Sequence, residues 1–246
     1  MPARHDKVTD SRIAAGLLLA RRGQAFFSRA LNELDDDALE APSLLPGWSR
    51  RHVVAHVGLN ARALTRLTEW AATGIETPMY ASPDQRVLEI EFAATLPAQA
   101  LRNLSDHAAV HLTVEWRDLE DAAWASIVRT GQGRSVPASE TVWLRTREVW
   151  IHAVDLASGY SFLDFPADLV DRLLEDITAS WDRRRASEGL PSIRLEATDR
   201  DSTIGGDADV VLRGPAARLA QWASGRGAQD LVDVTGAAVP APPRWL

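Results

Sequence analysis

The chain has 246 residues, 46% of them hydrophobic and 25% charged, which allows one large domain or two smaller ones with a buried core. Its net charge is −7 and Lys7 is its only lysine, a poor match to nucleic acid, whose affinity comes from phosphate neutralisation by basic side chains. Cysteine is absent, which excludes disulfides, thiolate metal ligands and a cysteine nucleophile, so any thiol chemistry needs sulfur brought from outside.

The N-terminal MPARHDKVTD is polar and carries no secretory pattern. The apolar run 14–20 is too short to span a bilayer, so the chain is read as cytoplasmic, without a membrane partner. A long amphipathic helix is predicted from about Thr9 to Leu34. A second begins after Pro46-Gly47-Trp48 with Ser49 as N-cap and ends near Thr73-Gly74, with Val53, Val57, Leu64 and Leu67 as its apolar stripe. Pro83 opens a third helix and Pro97 a fourth, running toward Trp116. A Gly- and Ser-rich loop, Thr130 to Ser139, leads into a helix from Glu140 to about Leu156. Long helices with short links predict an up-and-down bundle.

The last third changes character. One helix covers Ala167 to about Arg185, and strands are predicted at Ile193–Thr198, Asp209–Arg213 and Leu231–Val234, with a short helix opened by Pro215 and ending at Ser224-Gly225. The expected organisation is α+β: a helical bundle over 1–160 and a small α/β domain over 161–246, with the change of character near 158–166.

Two helices carry the candidate chemistry. His52, His56 and Asn60 follow one another at four-residue spacing and share a face; about ninety residues on, Glu148 and His152 do the same, with Asp155 beside them. Each set flanks the apolar stripe of its helix, so packing of the two stripes aims imidazole and carboxylate at each other, the way bundles build metal sites. Two histidines and one glutamate suit a catalytic zinc with one open position. The same set suits a non-haem iron triad. Spacing does not choose between His52 and His56. The plainer alternatives are histidines hydrogen-bonded in the core and Glu148 paired with Arg145 on its own helix. Gly131-Gln132-Gly133 lacks the strand before it and the helix after it that phosphate binding requires.

The segments LPGWSRRHVVAHVGLNAR (45–62), TPMYASPDQR (77–86), VPASETVWLRTREVWIHAVDL (136–156), WASGRGAQD (222–230) and the terminal PPRWL resemble the mycothiol-dependent maleylpyruvate isomerases, a family of the DinB-like metal-binding superfamily. The resemblance covers nearly the whole chain. It implies a DinB-like bundle followed by a small α/β domain, with zinc and mycothiol as cofactors. The implied reaction is cis–trans isomerisation of maleylpyruvate to fumarylpyruvate in gentisate breakdown. The partners are then a small dicarboxylate and a low-molecular-weight thiol. Carried over by motif, the zinc ligands fall on His56, Glu148 and His152, and the functional arginine of the G-R-G turn falls on Arg226, which the second domain is expected to bring to the metal. Arg86 is a second shared arginine suited to a substrate carboxylate. Asp155, His52 and Asn60 remain as residues behind the ligands. The bland reading of Gly225-Arg226-Gly227 is a helix C-cap and tight turn; that of Arg86 is a solvated helix residue. A mycothiol S-transferase on the same scaffold, or a metal-binding regulatory bundle without turnover, are the alternative functions.

Overall fold

A computed structural model describes residues 5–201 and 203–245. The remaining residues, which include the start of the polar N-terminal stretch and the last leucine of the PPRWL motif, lie outside the described residues. The chain divides into two compact units, Met1–Tyr160 and Ser161–Leu246.

The first unit is helical. Helix α1 spans Ser11–Asn32 and starts where the Asp10 carboxylate accepts the Arg12 N–H at 2.8 Å. Helix α2 spans Arg50–Thr73, and Gly74 ends it in the left-handed conformation (φ 74°) that a side chain would resist. Helix α3, Pro83–Ala94, has Pro83 in its first turn and the Ser82 hydroxyl capping the Gln85 N–H at 3.0 Å. Helices α4, Ala98–Asp118, and α5, Glu140–Asp155, complete the unit.

Helix directions follow from which residues meet. Gly16 faces Val142 and Gly23 faces Val149 and Trp150, so α1 and α5 run parallel. Arg51 reaches the Leu96 carbonyl and Gly58 meets Leu104 and Ser105, so α2 and α4 also run parallel. His56 meets Glu148 and Asn60 meets Arg145, so α5 runs against α2. The short α3 is the return link that lets α2 and α4 share a direction. The apolar stripe of α2 lies wholly inside: Val53, Val57, Leu64 and Leu67 are 0% exposed. Leu64 and Leu67 share a core cluster with Leu17, Leu112, Trp116 and Val142, and burial of that surface is the main force holding the helices together.

The stretch read as a loop contains a hairpin. Strands β1, Ile127–Arg129, and β2, Ser135–Pro137, pair antiparallel around a turn at 130–134. Val128 and Val136 point inward and close the end of the core beside Trp124. Three-residue strands carry too little alternation to stand out from a Gly-rich turn.

In the second unit, helix α6, Ala167–Glu188, precedes strands β3 (Ile193–Ala197), β4 (Thr203–Ile204) and β5 (Val210–Gly214), helix α7 (Ala216–Ala223) and strand β6 (Val232–Asp233). The sheet order is β4-β3-β5-β6. Strands β3 and β5 are parallel and the outer strands antiparallel to them. The two-residue β4 adds a strand the sequence does not announce, and β6 is shorter than the predicted Leu231–Val234. Leu195, Leu212, Leu219 and Trp222 form the buried side, and Trp181 of α6 meets Trp222 edge-on at 5.7 Å. The outcome is the expected helical bundle with a small α/β unit. No described helix is long and apolar enough to cross a membrane.

The α1–α5 contact gives a direct check of this packing. A Cβ at Gly23 would lie 2.5 Å from Trp150 Cδ1 and Nε1 and 2.6 Å from Val149 Cγ2. Trp150 cannot swing away freely, because its Nε1 donates to the Leu19 carbonyl at 3.2 Å and its ring stacks on Phe26 at 4.7 Å. In an open helix Gly→Ala gains about 1 kcal/mol, but overpacking costs about 1–3 kcal/mol. Gly23→Ala should therefore lower stability in urea unfolding. A more stable variant would show that α1 and α5 are not in such close contact.

Candidate metal centre

The centre is built from two turns of α2 and two of α5. His56 lies two turns into α2, and the i, i+4 pair Glu148 and His152 faces it from α5. Glu148 Oε2 lies 2.8 Å from His56 Nε2 and 3.1 Å from His152 Nε2. The two imidazole rings meet edge to face, with centroids 4.8 Å apart. One donor atom from each of the three residues falls within 4.8 Å of the others. His56 is buried, at 5% exposure, and Trp48 covers its flank, edge-on at 5.6 Å. Glu148 and His152 are only half-buried, so the cluster is open on one side.

Charge in the cluster is strongly coupled. Burial pushes the Glu148 carboxyl up, but the two imidazoles outweigh it and hold the group well below the usual carboxylate range. Burial lowers His152, yet hydrogen bonds to Asp155 and Glu148 more than reverse this and raise it to about 9. His56 goes the other way, because burial dominates the pull of Glu148, and His152 and Arg86 add to the lowering. Asp155 is fully buried and its Oδ2 lies 2.8 Å from His152 Nδ1. That bond places a proton on Nδ1 and leaves Nε2 facing the cluster, the arrangement that tunes histidine ligands in metal sites.

The donor set fits a divalent metal. Two imidazole nitrogens converge on one carboxylate oxygen, and without a cation that convergence is balanced by protons alone. A single ion would accept all three lone pairs, and the N₂O set matches zinc or iron chemistry.

The other candidate residues fall at varied distances from this centre. Arg86 places Nη2 3.4 Å from His56 Nδ1 and its Cζ 5.7 Å from the Tyr80 ring centroid. It is half-buried and directed at the centre, unlike the solvated helix residue of the bland reading. His52 belongs to the start of α2: its Nδ1 meets Ser49 Oγ at 2.7 Å and its Nε2 meets Glu91 at 3.3 Å. Among the described residues it makes no hydrogen bond to the cluster. Asn60 is buried and its Oδ1 accepts from Arg145 Nη1 at 2.9 Å. Arg226 lies in the second unit, in the turn after α7, where its N–H donates to the Gln221 carbonyl at 2.9 Å.

Three further residues bear on the centre. Arg145 does not take Glu148 as its ion-pair partner; its guanidinium donates to the Val57 carbonyl at 2.7 Å, to Asn60, and to Gln24 Oε1 at 2.8 Å, cross-linking α5 to α2 and α1. Burial depresses Arg145 to about 10, while Glu148 opposes that shift. Trp48 and Tyr80 are the others. Both lie inside motifs quoted from the sequence, but neither residue type signals such a role by itself.

A family model described as the mycothiol maleylpyruvate isomerase N-terminal domain matches residues 20–157, and one described as the MDMPI C-terminal domain matches residues 164–243. The chain belongs to the mycothiol maleylpyruvate isomerase family. Among solved structures it is similar to a crystal structure of the mycothiol-dependent maleylpyruvate isomerase, with 43% identity and a TM-score of 0.88, covering 95% of this chain and 97% of the other. A histidine-to-alanine mutant of that isomerase matches equally well, at 43% identity and a TM-score of 0.88. No curated protein sequence matches the chain. In this isomerase family member the His56–Glu148–His152 cluster lies wholly within the part matched by the N-terminal model.

Proposed function

We propose that this chain is a mycothiol-dependent maleylpyruvate isomerase, converting maleylpyruvate to fumarylpyruvate with zinc held by His56, Glu148 and His152. The observation that carries the reading is that cluster, two Nε2 atoms within 3.1 Å of one carboxylate oxygen, in a chain matched by the family over both of its units. A zinc ion there supplies a positive charge that lowers the pKa of a thiol, so that thiolate is available at neutral pH. Reversible addition of that thiolate turns the conjugated double bond into a single bond, about which rotation is easy, before the alkene re-forms as the trans isomer.

The chain's own residues then have distinct tasks. Asp155 fixes the ring of His152 through the 2.8 Å bond to Nδ1. Arg86 is the carboxylate partner in the first unit. A histidine that gives its Nε2 lone pair to a metal carries its proton on Nδ1, and a guanidinium has donors only. The Arg86 contact with His56 Nδ1 therefore has no acceptor once His56 is a ligand, and its N–H groups are available to an incoming anion. Addition to the alkene pushes negative charge into an enolate, which a positioned cation stabilises more than the starting state. Arg226 is the second arginine proposed for the dianionic substrate. The absence of cysteine agrees with a nucleophile supplied from outside.

Purified, zinc-loaded protein with maleylpyruvate tests the reading. Fumarylpyruvate should form only when mycothiol is added, and the thiol should be recovered unconsumed. Full turnover in thiol-free buffer would sink the mechanism. Steady loss of thiol into a stable adduct would make the chain an S-transferase instead.

A further inference from the structure

The Gly131-Gln132-Gly133 turn joins β1 to β2, so a strand does precede it, contrary to the sequence reading, but a strand and not a helix follows; it lies outside the metal cluster and bears on Arg86 through Tyr80. In the turn, the Gly133 N–H donates to the Thr130 carbonyl at 2.8 Å and the Thr130 N–H to the Arg134 carbonyl at 2.9 Å. Gly133 takes φ 80°, which glycine adopts without strain. The turn lies flush on the ring of Tyr80: a Cβ at Gly131 would come within 3.1 Å of Tyr80 Cε2 and 3.2 Å of Cδ2. Met79 is pinned from two sides, its sulfur by the Gly131 N–H at 3.0 Å and its carbonyl by Arg66 Nη1 at 2.7 Å. Tyr80 is half-buried where this leaves it, and its ring is the seat for the Arg86 guanidinium, 5.7 Å from the centroid. Arg86 in turn stands 3.4 Å from His56 Nδ1.

An arginine on an exposed helix samples many rotamers. The residues beside Arg86 on α3, Gln85 and Val87, are exposed. The contacts of Arg86 are with Tyr80, through both ring and hydroxyl, and with His56 Nδ1, and together they hold the rotamer that faces the cluster. The turn braces the Tyr80 ring from one side and the pinned Met79 from the chain.

We propose that Tyr80, braced by Gly131, is a positioning residue that holds the Arg86 guanidinium at the mouth of the His56–Glu148–His152 cluster for a substrate carboxylate. This rests on the isomerase function proposed above.

The test is a double-mutant cycle in zinc-loaded protein, read both as KM for maleylpyruvate and as the dissociation constant of maleate, a dicarboxylate that needs no thiol to bind. Tyr80→Ala should raise both by about three- to tenfold, with kcat moving less and zinc content unchanged. Tyr80→Phe, which keeps the ring but loses the hydroxyl bonded to Arg86, should recover part of the loss. Gly131→Ala, which has to displace the ring by a few tenths of an ångström, should shift both constants in the same direction but less. In an Arg86→Ala background Tyr80→Ala should add nothing, because the two act as one unit. An equal loss in both backgrounds would overturn the proposal and leave Tyr80 as a packing residue only. An inactive parent would count against the isomerase reading, and the maleate cycle would still decide the role of Tyr80.

Discussion

Replacing His152 or His56 with alanine should strip the zinc and abolish isomerisation, while His52→Ala should keep near-stoichiometric metal. The three histidines differ in what their ring nitrogens face. His56 and His152 both aim Nε2 at Glu148 Oε2, at 2.8 and 3.1 Å. His52 has its Nδ1 on Ser49 and its Nε2 on Glu91, so its removal frays the start of α2 without touching a ligand. Loss of an outer partner of a metal-bound histidine costs about 10–100-fold in affinity or activity; loss of one of three protein ligands should cost more. Asp155→Asn should then fall between His52→Ala and His152→Ala. Elemental analysis after dialysis and thiol-dependent turnover are the measurements. Metal lost in His52→Ala but kept in His56→Ala would move the ligand assignment by one helical turn.

The choice between these two histidines shows where sequence reading stops. Four-residue spacing puts His52 and His56 on one face, and nothing in that periodicity separates them. The signal that does lies three residues upstream: Ser49 is the N-cap of α2 and His52 its third helical residue, the position whose side chain reaches back to the cap. The Ser49 N–H meets His52 Nδ1 at 3.3 Å in this way. Glu148 and His152 were legible because their stripe residues Val149 and Ala153 had to be buried, and both are 0% exposed. Arg145 was misleading for the same local reason. It stands three residues before Glu148, which suggests an ion pair on one helix, but the guanidinium crosses to α2 and α1. The role of Gly131 against Tyr80 was invisible, since it depends on a hairpin too short to show a strand pattern and on a contact fifty-one residues away.

Arg226→Ala should lower turnover by about one to two orders of magnitude and leave zinc content and unfolding unchanged. The backbone of the turn does not depend on the side chain. The turn after α7 is formed by backbone and glycines: Gly225 at φ 83° donates to the Trp222 carbonyl at 2.8 Å, and Gly227 takes φ 102°. The Arg226 carbonyl accepts from Gln221 Nε2 at 2.9 Å and its N–H donates to the Gln221 carbonyl, bonds that alanine keeps. What alanine removes is the guanidinium, with its protein contacts, the bond to the Ser224 carbonyl among them, and any bond to substrate. A hydrogen bond to a charged group contributes about 1.5–3 kcal/mol, which at about 1.4 kcal/mol per decade is the stated loss in rate. Arg226→Lys should recover only part, because an ammonium cannot form the two parallel bonds a guanidinium offers a carboxylate. Removal of the thiol should silence parent and variants alike, so the comparison isolates the substrate cation. An Arg226→Ala enzyme as fast as the parent would reduce this residue to part of a turn. The charge on the developing enolate would then rest on Arg86 and the metal alone.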